Sequence, residues 1–225
     1  MIHNRPIARP LKNPESFHAN FKPLAALSTL LILLFCTSLI NGCATHVEVT
    51  GTFPKPLSKR YPLSTTLVFN ESFRNYRFEN LSPKEVSVAV GTAQVALFST
   101  VVDSMFENTH ISNLIATGGT DTDLILVPSV ADVQIAMPHE TQLKIFEVWI
   151  KYKLELFNQQ GELIADWTMP AYGKTPSRFL KSDDDALNQA AIVALRDAGA
   201  NLITGFAKIP EVGIWLASHD ENRTE

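Results

Sequence analysis

The chain has 225 residues, 45% of them hydrophobic and 19% charged, with 10 Gly and 13 Pro. That is ordinary globular composition with room for one or two domains, and it excludes collagen-like, coiled-coil and largely disordered chains. A formal charge of −4 offers no net positive field to a nucleic-acid backbone, and two cysteines cannot frame a disulfide-rich scaffold.

Residues 1–22 carry Arg5, Arg9, Lys12 and Lys22 against one acid, Glu15. An uncharged apolar run follows from Leu24 to Ile40. As a helix it would be about 25 Å long, short of the ~30 Å hydrocarbon core of a bilayer. Basic region, apolar stretch and then small residues make the layout of a secretory signal over 1–42. The run ends in Ile40-Asn41-Gly42-Cys43, which resembles a bacterial lipobox. The resemblance implies that the Cys43 thiol is lipidated, that signal peptidase II cuts before it, and that the new amine is acylated. The alternative is an uncleaved membrane anchor with a coincidental cysteine.

Such processing would discard Cys36 and leave no thiol free for a disulfide. Four of the 19 basic residues and one of the 23 acidic ones would leave with the signal. Several acyl chains on one residue exceed the two signals that stable anchoring needs. Ala44 stands where an aspartate often retains bacterial lipoproteins in the inner membrane, so the resemblance points to the periplasmic face of the outer membrane. The membrane is then a partner through the lipid on Cys43.

Residues 43–61, with Pro54, Pro56, Lys55, Lys59 and Arg60, read as a tether with a short strand near Val47–Thr50. Residues 62–217 read as one domain, and 218–225 as a polar tail. Leu63–Phe69 and Val86–Val90 are strand-like; Thr92–Asn108 carries a broad apolar helical stripe through Ala93, Leu97, Val101 and Met105. Leu124–Met137 reads as a long strand broken near Pro128. Lys144–Phe157 alternates strictly, with Phe146, Val148, Ile150, Tyr152, Leu154 and Leu156 on one side and Glu147, Lys151, Lys153 and Glu155 on the other. A hairpin at Asn158–Gly161 returns it as Glu162–Ala171. Pairing Phe157 with Glu162 sets Tyr152 against Trp167, Leu154 against Ala165 and Lys153 against Asp166. Ser182 caps a last long helix with Asp183, Asp184 and Asp185 in its first turn; Pro210 opens a short terminal turn.

Strands grouped between two main helices give an α+β class: a mostly antiparallel sheet with both helices on one face. Small periplasmic lipoproteins of lipopolysaccharide assembly, curli secretion and penicillin-binding-protein activation are broadly similar in layout. The run FEVWIKYKLELFNQQGELIADW, then YGKTP, ALNQAAIVALRDAGANL and PEVGIWL resembles an uncharacterised family of Gram-negative envelope lipoproteins. That resemblance implies no catalytic residues.

The residues themselves point to little chemistry. Tyr172-Gly173-Lys174-Thr175 ends like a phosphate loop, but Thr168 stands where the first glycine belongs, and Pro170 and Pro176 interrupt it. The segment reads as a loop. His46, His110, His139 and His219 are scattered, with no metal-binding pair on one helix face. Asp121-Thr122-Asp123 lacks the further ligands of a calcium loop. No nucleophile elbow is present. No enzyme, metal or cofactor is expected, and two binding readings remain. The preferred one is an adaptor or assembly factor for another envelope protein, with Trp149, the large aromatic on the charged side of its strand, as anchor. The other is a carrier holding a lipid or small amphiphile between sheet and helices, walled by Phe98, Met105, Phe106 and Tyr152.

Overall fold

The computed structural model describes residues 45–81, 85–115, 122–177 and 182–224; Cys43 and the segment expected as a signal, residues 1–42, lie outside them. Strands β1 (Thr45–Glu48) and β2 (Tyr61–Val68) lead to α1 (Glu71–Arg74), β3 (Arg77–Asn80) and β4 (Val86–Ala89). Helix α2 (Gly91–Met105), β5 (Phe106–Ser112), β6 (Leu124–Ala136), β7 (Ile145–Asn158) and β8 (Leu163–Pro176) follow. Helix α3 (Asp183–Gly205), a 3-10 turn (Phe206–Lys208) and α4 (Pro210–Thr224) close the chain.

The α+β class is as expected, but the strands form two mixed sheets, a small one ordered β1-β4-β3 and a large one ordered β5-β2-β6-β7-β8. Strand β2 runs parallel to both β5 and β6, and β1 runs parallel to β4. The reason is connectivity. Between β2 and β5 the chain spends α1, β3, β4 and α2, a crossover long enough to bring it back in the same direction. Short turns join β6, β7 and β8, and these pair antiparallel.

The alternation of β7 is borne out residue by residue: Phe146, Val148, Ile150, Tyr152, Leu154 and Leu156 are all buried. Their face is covered by α2 and α3. Rings run through this core from Phe69 to Phe73 (5.3 Å), on to Phe98 (5.6 Å) and to Tyr152 (5.1 Å). The buried Tyr152 hydroxyl donates to Gln94 Oε1 at 3.1 Å, and the Gln94 amide donates to the Phe73 carbonyl at 2.6 Å. Burial pushes the Tyr152 phenol pKa up, so it stays a donor. A polar chain with every member partnered costs the core little.

Helix α3 starts as its sequence dictates: the Ser182 hydroxyl accepts the Asp185 amide at 3.1 Å, with three acids in the first turn. Its small residues Ala190, Ala191, Ala194 and Ala198 are fully buried and let it approach β8 closely. At Gly173 the approach is closest, since a Cβ there would overlap the Ala190 carbonyl and the Ala194 amide. The Tyr-Gly-Lys-Thr segment is therefore strand, not the loop expected, and its glycine serves helix–sheet packing.

Part of the segment expected as a tether belongs to the fold. Val47 and Val49 are buried, and β1 pairs with β4 in register from Thr45↔Val86. Residues 50–58 then lie as a strap across α2 and α3. The Thr50 amide donates to Asn188 Oδ1 (3.0 Å), Arg196 Nη2 to the Thr52 carbonyl (3.3 Å) and the Ser58 hydroxyl to the Ser104 carbonyl (2.7 Å). The expected terminal turn and polar tail are instead one helix, α4, reaching Thr224. Val212 anchors it, and His219 stacks on Trp215 at 4.7 Å.

Candidate interaction face of the large sheet

Among the described residues, no helix packs on the second face of the large sheet along much of β7 and β8. Period two sends Glu147, Trp149, Lys151, Lys153 and Glu155 of β7 to this side. Opposite them on β8 stand Lys174, Tyr172, Pro170, Thr168 and Asp166, and on β6 Gln134 faces Trp149 while Asp132 faces Lys151. Trp149 is 38% exposed. Its ring lies 5.2 Å from that of Tyr172 at an interplanar angle of 35°, an offset arrangement of cross-strand aromatics.

The polar groups around this pair are ordered. The Tyr172 hydroxyl donates to Glu147 Oε1 at 2.6 Å. That hydrogen bond, with burial and the nearby negative charge adding to it, pushes the Tyr172 pKa up to about 12. Gln134 Nε2 donates to Asp132 Oδ2 at 3.0 Å. Lys153 lies between Glu155 (2.9 Å) and Asp166 (3.7 Å), and the bond to Glu155 raises its pKa. The result is an aromatic pair inside a polar rim in which Glu147 holds Tyr172 and Lys153 is paired with two carboxylates. Aromatic anchors inside a polar rim are the arrangement found at the centre of many interfaces.

Tyr172 was missed because the expected hairpin register was two residues out. Asn158 pairs with Glu162 through a loop containing Gly161 at φ 82°, and an irregularity between Leu156 and Phe157 adds one more residue. Leu156 thus faces Ala165, Leu154 faces Trp167 and Tyr152 faces Met169. A two-residue slip keeps every side chain on its own face, so Trp167 still shares the core side with Leu154, while Trp149 gains Tyr172 instead of Pro170. The expected Lys153–Asp166 ion pair survives as a diagonal contact.

The remaining candidates have structural roles or lie apart. Phe98, Met105, Phe106 and Tyr152 are all within 1% of complete burial, so the carrier walls enclose packed core. An apolar cleft of about 220 Å³ lies elsewhere, between the strap residues Phe53, Pro54 and Pro56 and helix residues Leu97, Val101 and Ile203. It is smaller than the ~300 Å³ at which ligand pockets begin. Asp123 Oδ2 accepts the Ser64 amide at 2.8 Å, and Asp121 lies outside the described residues. Among the described residues no three potential ligands gather where a metal could bind, and no helix is long and apolar enough to cross a membrane. Cys43 lies outside them too.

No family model matches the chain, and no curated protein matches it. Several solved structures are similar at low identity. A Xanthomonas campestris protein of DUF330 superposes with TM-score 0.48 and 13% identity, covering 81% of this chain and 99% of that one. A minor lipoprotein from Acinetobacter baumannii gives TM-score 0.36 and 10% identity, covering 64% and 92%. A hypothetical protein from Chlamydia trachomatis gives TM-score 0.39 and 9% identity, covering 63% and 96%.

Proposed function

We propose that this chain is a non-enzymatic envelope lipoprotein, anchored by lipid on Cys43 at the periplasmic face of the outer membrane, that acts as an adaptor or assembly factor for another envelope protein. The observation that carries the adaptor reading is the Trp149–Tyr172 pair. It stands on an uncovered sheet face, 38% exposed at Trp149, while the interior behind it is filled. Exposed aromatics within a polar rim are typical interface anchors. The anchor reading rests on the lipobox resemblance of Ile40-Asn41-Gly42-Cys43.

The two halves are tested separately. Mass spectrometry of the mature N-terminus should find Cys43 acylated in the wild type, with processing lost in Cys43→Ser and kept in Cys36→Ser. An unmodified Cys43 in the membrane fraction would end the lipoprotein reading. For the adaptor, a photocross-linking residue at Lys151, beside the aromatic pair, should give one adduct of defined mass that Trp149→Ala removes at unchanged abundance.

A further inference from the structure

The two edges of the large sheet are finished differently. On β8 the outward groups are used within the chain: Asp197 of α3 accepts the Tyr172 amide at 3.0 Å, and Asn201 Nδ2 donates to the Pro170 carbonyl at 3.0 Å. Pro170 and Pro176 stand in the same alternate set and have no amide to offer. These are standard ways to blunt an edge.

Strand β5 is protected at one end only, where Arg60 reaches the Glu107 carbonyl. It reads FENTHIS, without proline or lysine, and among the described residues pairs only with β2. The Ser112 carbonyl accepts the Phe69 amide at 3.0 Å, so Ser112, and by alternation His110 and Asn108, turn their backbone groups toward β2. Glu107, Thr109 and Ile111 therefore turn theirs outward. Arg60 Nη2 reaches the Glu107 carbonyl at an exposed 3.3 Å; Thr109 and Ile111 meet no further strand among the described residues. Two more observations mark the spot. The Thr109 hydroxyl is buried without a hydrogen-bond partner. A groove of about 320 Å³ runs beside the strand, lined by Ser99, Thr100 and Asp103 of α2 and by Thr109 and Ile111, the last 54% exposed.

We infer that β5 pairs antiparallel with β5 of a second copy of this chain, about a two-fold axis at Thr109. The strand is complementary to itself in that register. Glu107 meets Ile111 of the other copy, Thr109 meets Thr109, and each facing pair exchanges two backbone hydrogen bonds. No like charges stand opposite each other, and Asp103 above the groove is already paired with Lys55. Rotation about χ1 brings the orphaned Thr109 hydroxyl to its symmetry mate, a cross-strand threonine pair. Ser99 and Thr100 are small enough for the two α2 helices to approach over the junction. The inference goes beyond the adaptor reading, uses a different edge of the sheet, and does not depend on the Trp149 face.

Cysteine cross-linking of the full chain in its native membranes tests it. In this register two Thr109 Cα atoms lie about 5.5 Å apart, inside the ~4.4–6.8 Å range that a disulfide spans. Thr109→Cys should give a disulfide-linked species of twice the mass under mild oxidation. Ile111→Cys, whose mates lie about 14 Å apart by strand rise, should not. In detergent solution, sedimentation should show a dimer for the wild type and a monomer for Ile111→Pro. That substitution removes an outward amide that β2 does not use, so an unchanged melting curve will show the fold intact. Equal cross-linking at 109 and 111, a monomeric wild type, or a Thr109→Cys adduct with a different protein would each overturn the self-pairing.

Discussion

The two faces of the large sheet are made by the same five strands, yet along β7 they hold different kinds of residue for different reasons. The helix-covered face of β7 is an unbroken apolar column, from Phe146 to Leu156, closed over by the alanine side of α3 and the Phe98 side of α2. The other face of the same strand carries Glu147, Trp149, Lys151, Lys153 and Glu155; Glu147 accepts the Tyr172 hydroxyl, and Lys153 pairs with Glu155 along the strand and Asp166 across to β8. One face supplies the cohesion, so a change there is felt through the whole domain. The other buries a small apolar cluster, Val68, Ile125 and Val127 with Phe157, at one end, while around Trp149 it is polar and more exposed.

The sharpest way to break this contrast is to charge the covered face. Leu195 is completely buried in the middle of α3. Leu195→Asp places a carboxylate with no partner in that layer and should cost more than about 4 kcal/mol, unfolding the domain. Circular dichroism of the purified domain should show the loss. Next comes the helix–sheet contact: Gly173→Val forces side-chain atoms into the α3 backbone and should cost about 3 kcal/mol by overpacking, read from the urea midpoint.

The two tryptophans compare the faces with one residue type. Trp167 packs against the core and meets Phe206 edge-on at 6.4 Å, but it is only partly buried. Trp167→Ala should cost about 2 kcal/mol, less than the ~3–5 kcal/mol of a fully enclosed tryptophan. Trp149→Ala should cost roughly 0.5 kcal/mol, because the side chain is 38% exposed and stands outside the core. Equal and large losses would mean that both faces carry the fold.

A smaller effect appears at high pH. Tyr172 is raised from 10.0 to about 12 by its bond to Glu147. Its folded pKa exceeds its unfolded one, so the bond's contribution is complete below pH 10 and is lost as pH rises through about 12. Tyrosinate absorbance should place one titration near that upper value in the wild type and shift it down in Glu147→Gln.

How much of this was legible in the sequence depends on what each segment's surroundings supply. Strand β7 announced itself because its two faces meet different media, and α3 because its cap and acids are local. Strand β5 did not: an edge strand reading FENTHIS is wet on most sides, so no period marks it, and Phe106 continues the apolar stripe of α2 past the point where the helix ends at Met105. The mixed sheet was hidden because strand direction follows from long connections rather than from local pattern. Helix α4 was read as a turn and tail since Val212 is its one fully buried residue among those described, Trp215 and Leu216 are half-buried, and from Ser218 the run is polar. The Trp149–Tyr172 pair needed the true hairpin register, and the irregular residue near Leu156 that sets it leaves no mark in composition. Trp149 itself was legible as an odd aromatic on a charged face; its partner ring and the Glu147 bond were not.

The central claim, that the uncovered face engages another envelope protein through Trp149 and Tyr172, is tested most directly by photocross-linking in intact cells. The same photoreactive residue is placed singly at Lys151 on that face and at Ala200 on α3. The expected result is one discrete adduct from Lys151, absent in the Trp149→Ala background and absent from Ala200. No adduct at Lys151, or the same adduct from both positions, would contradict the claim.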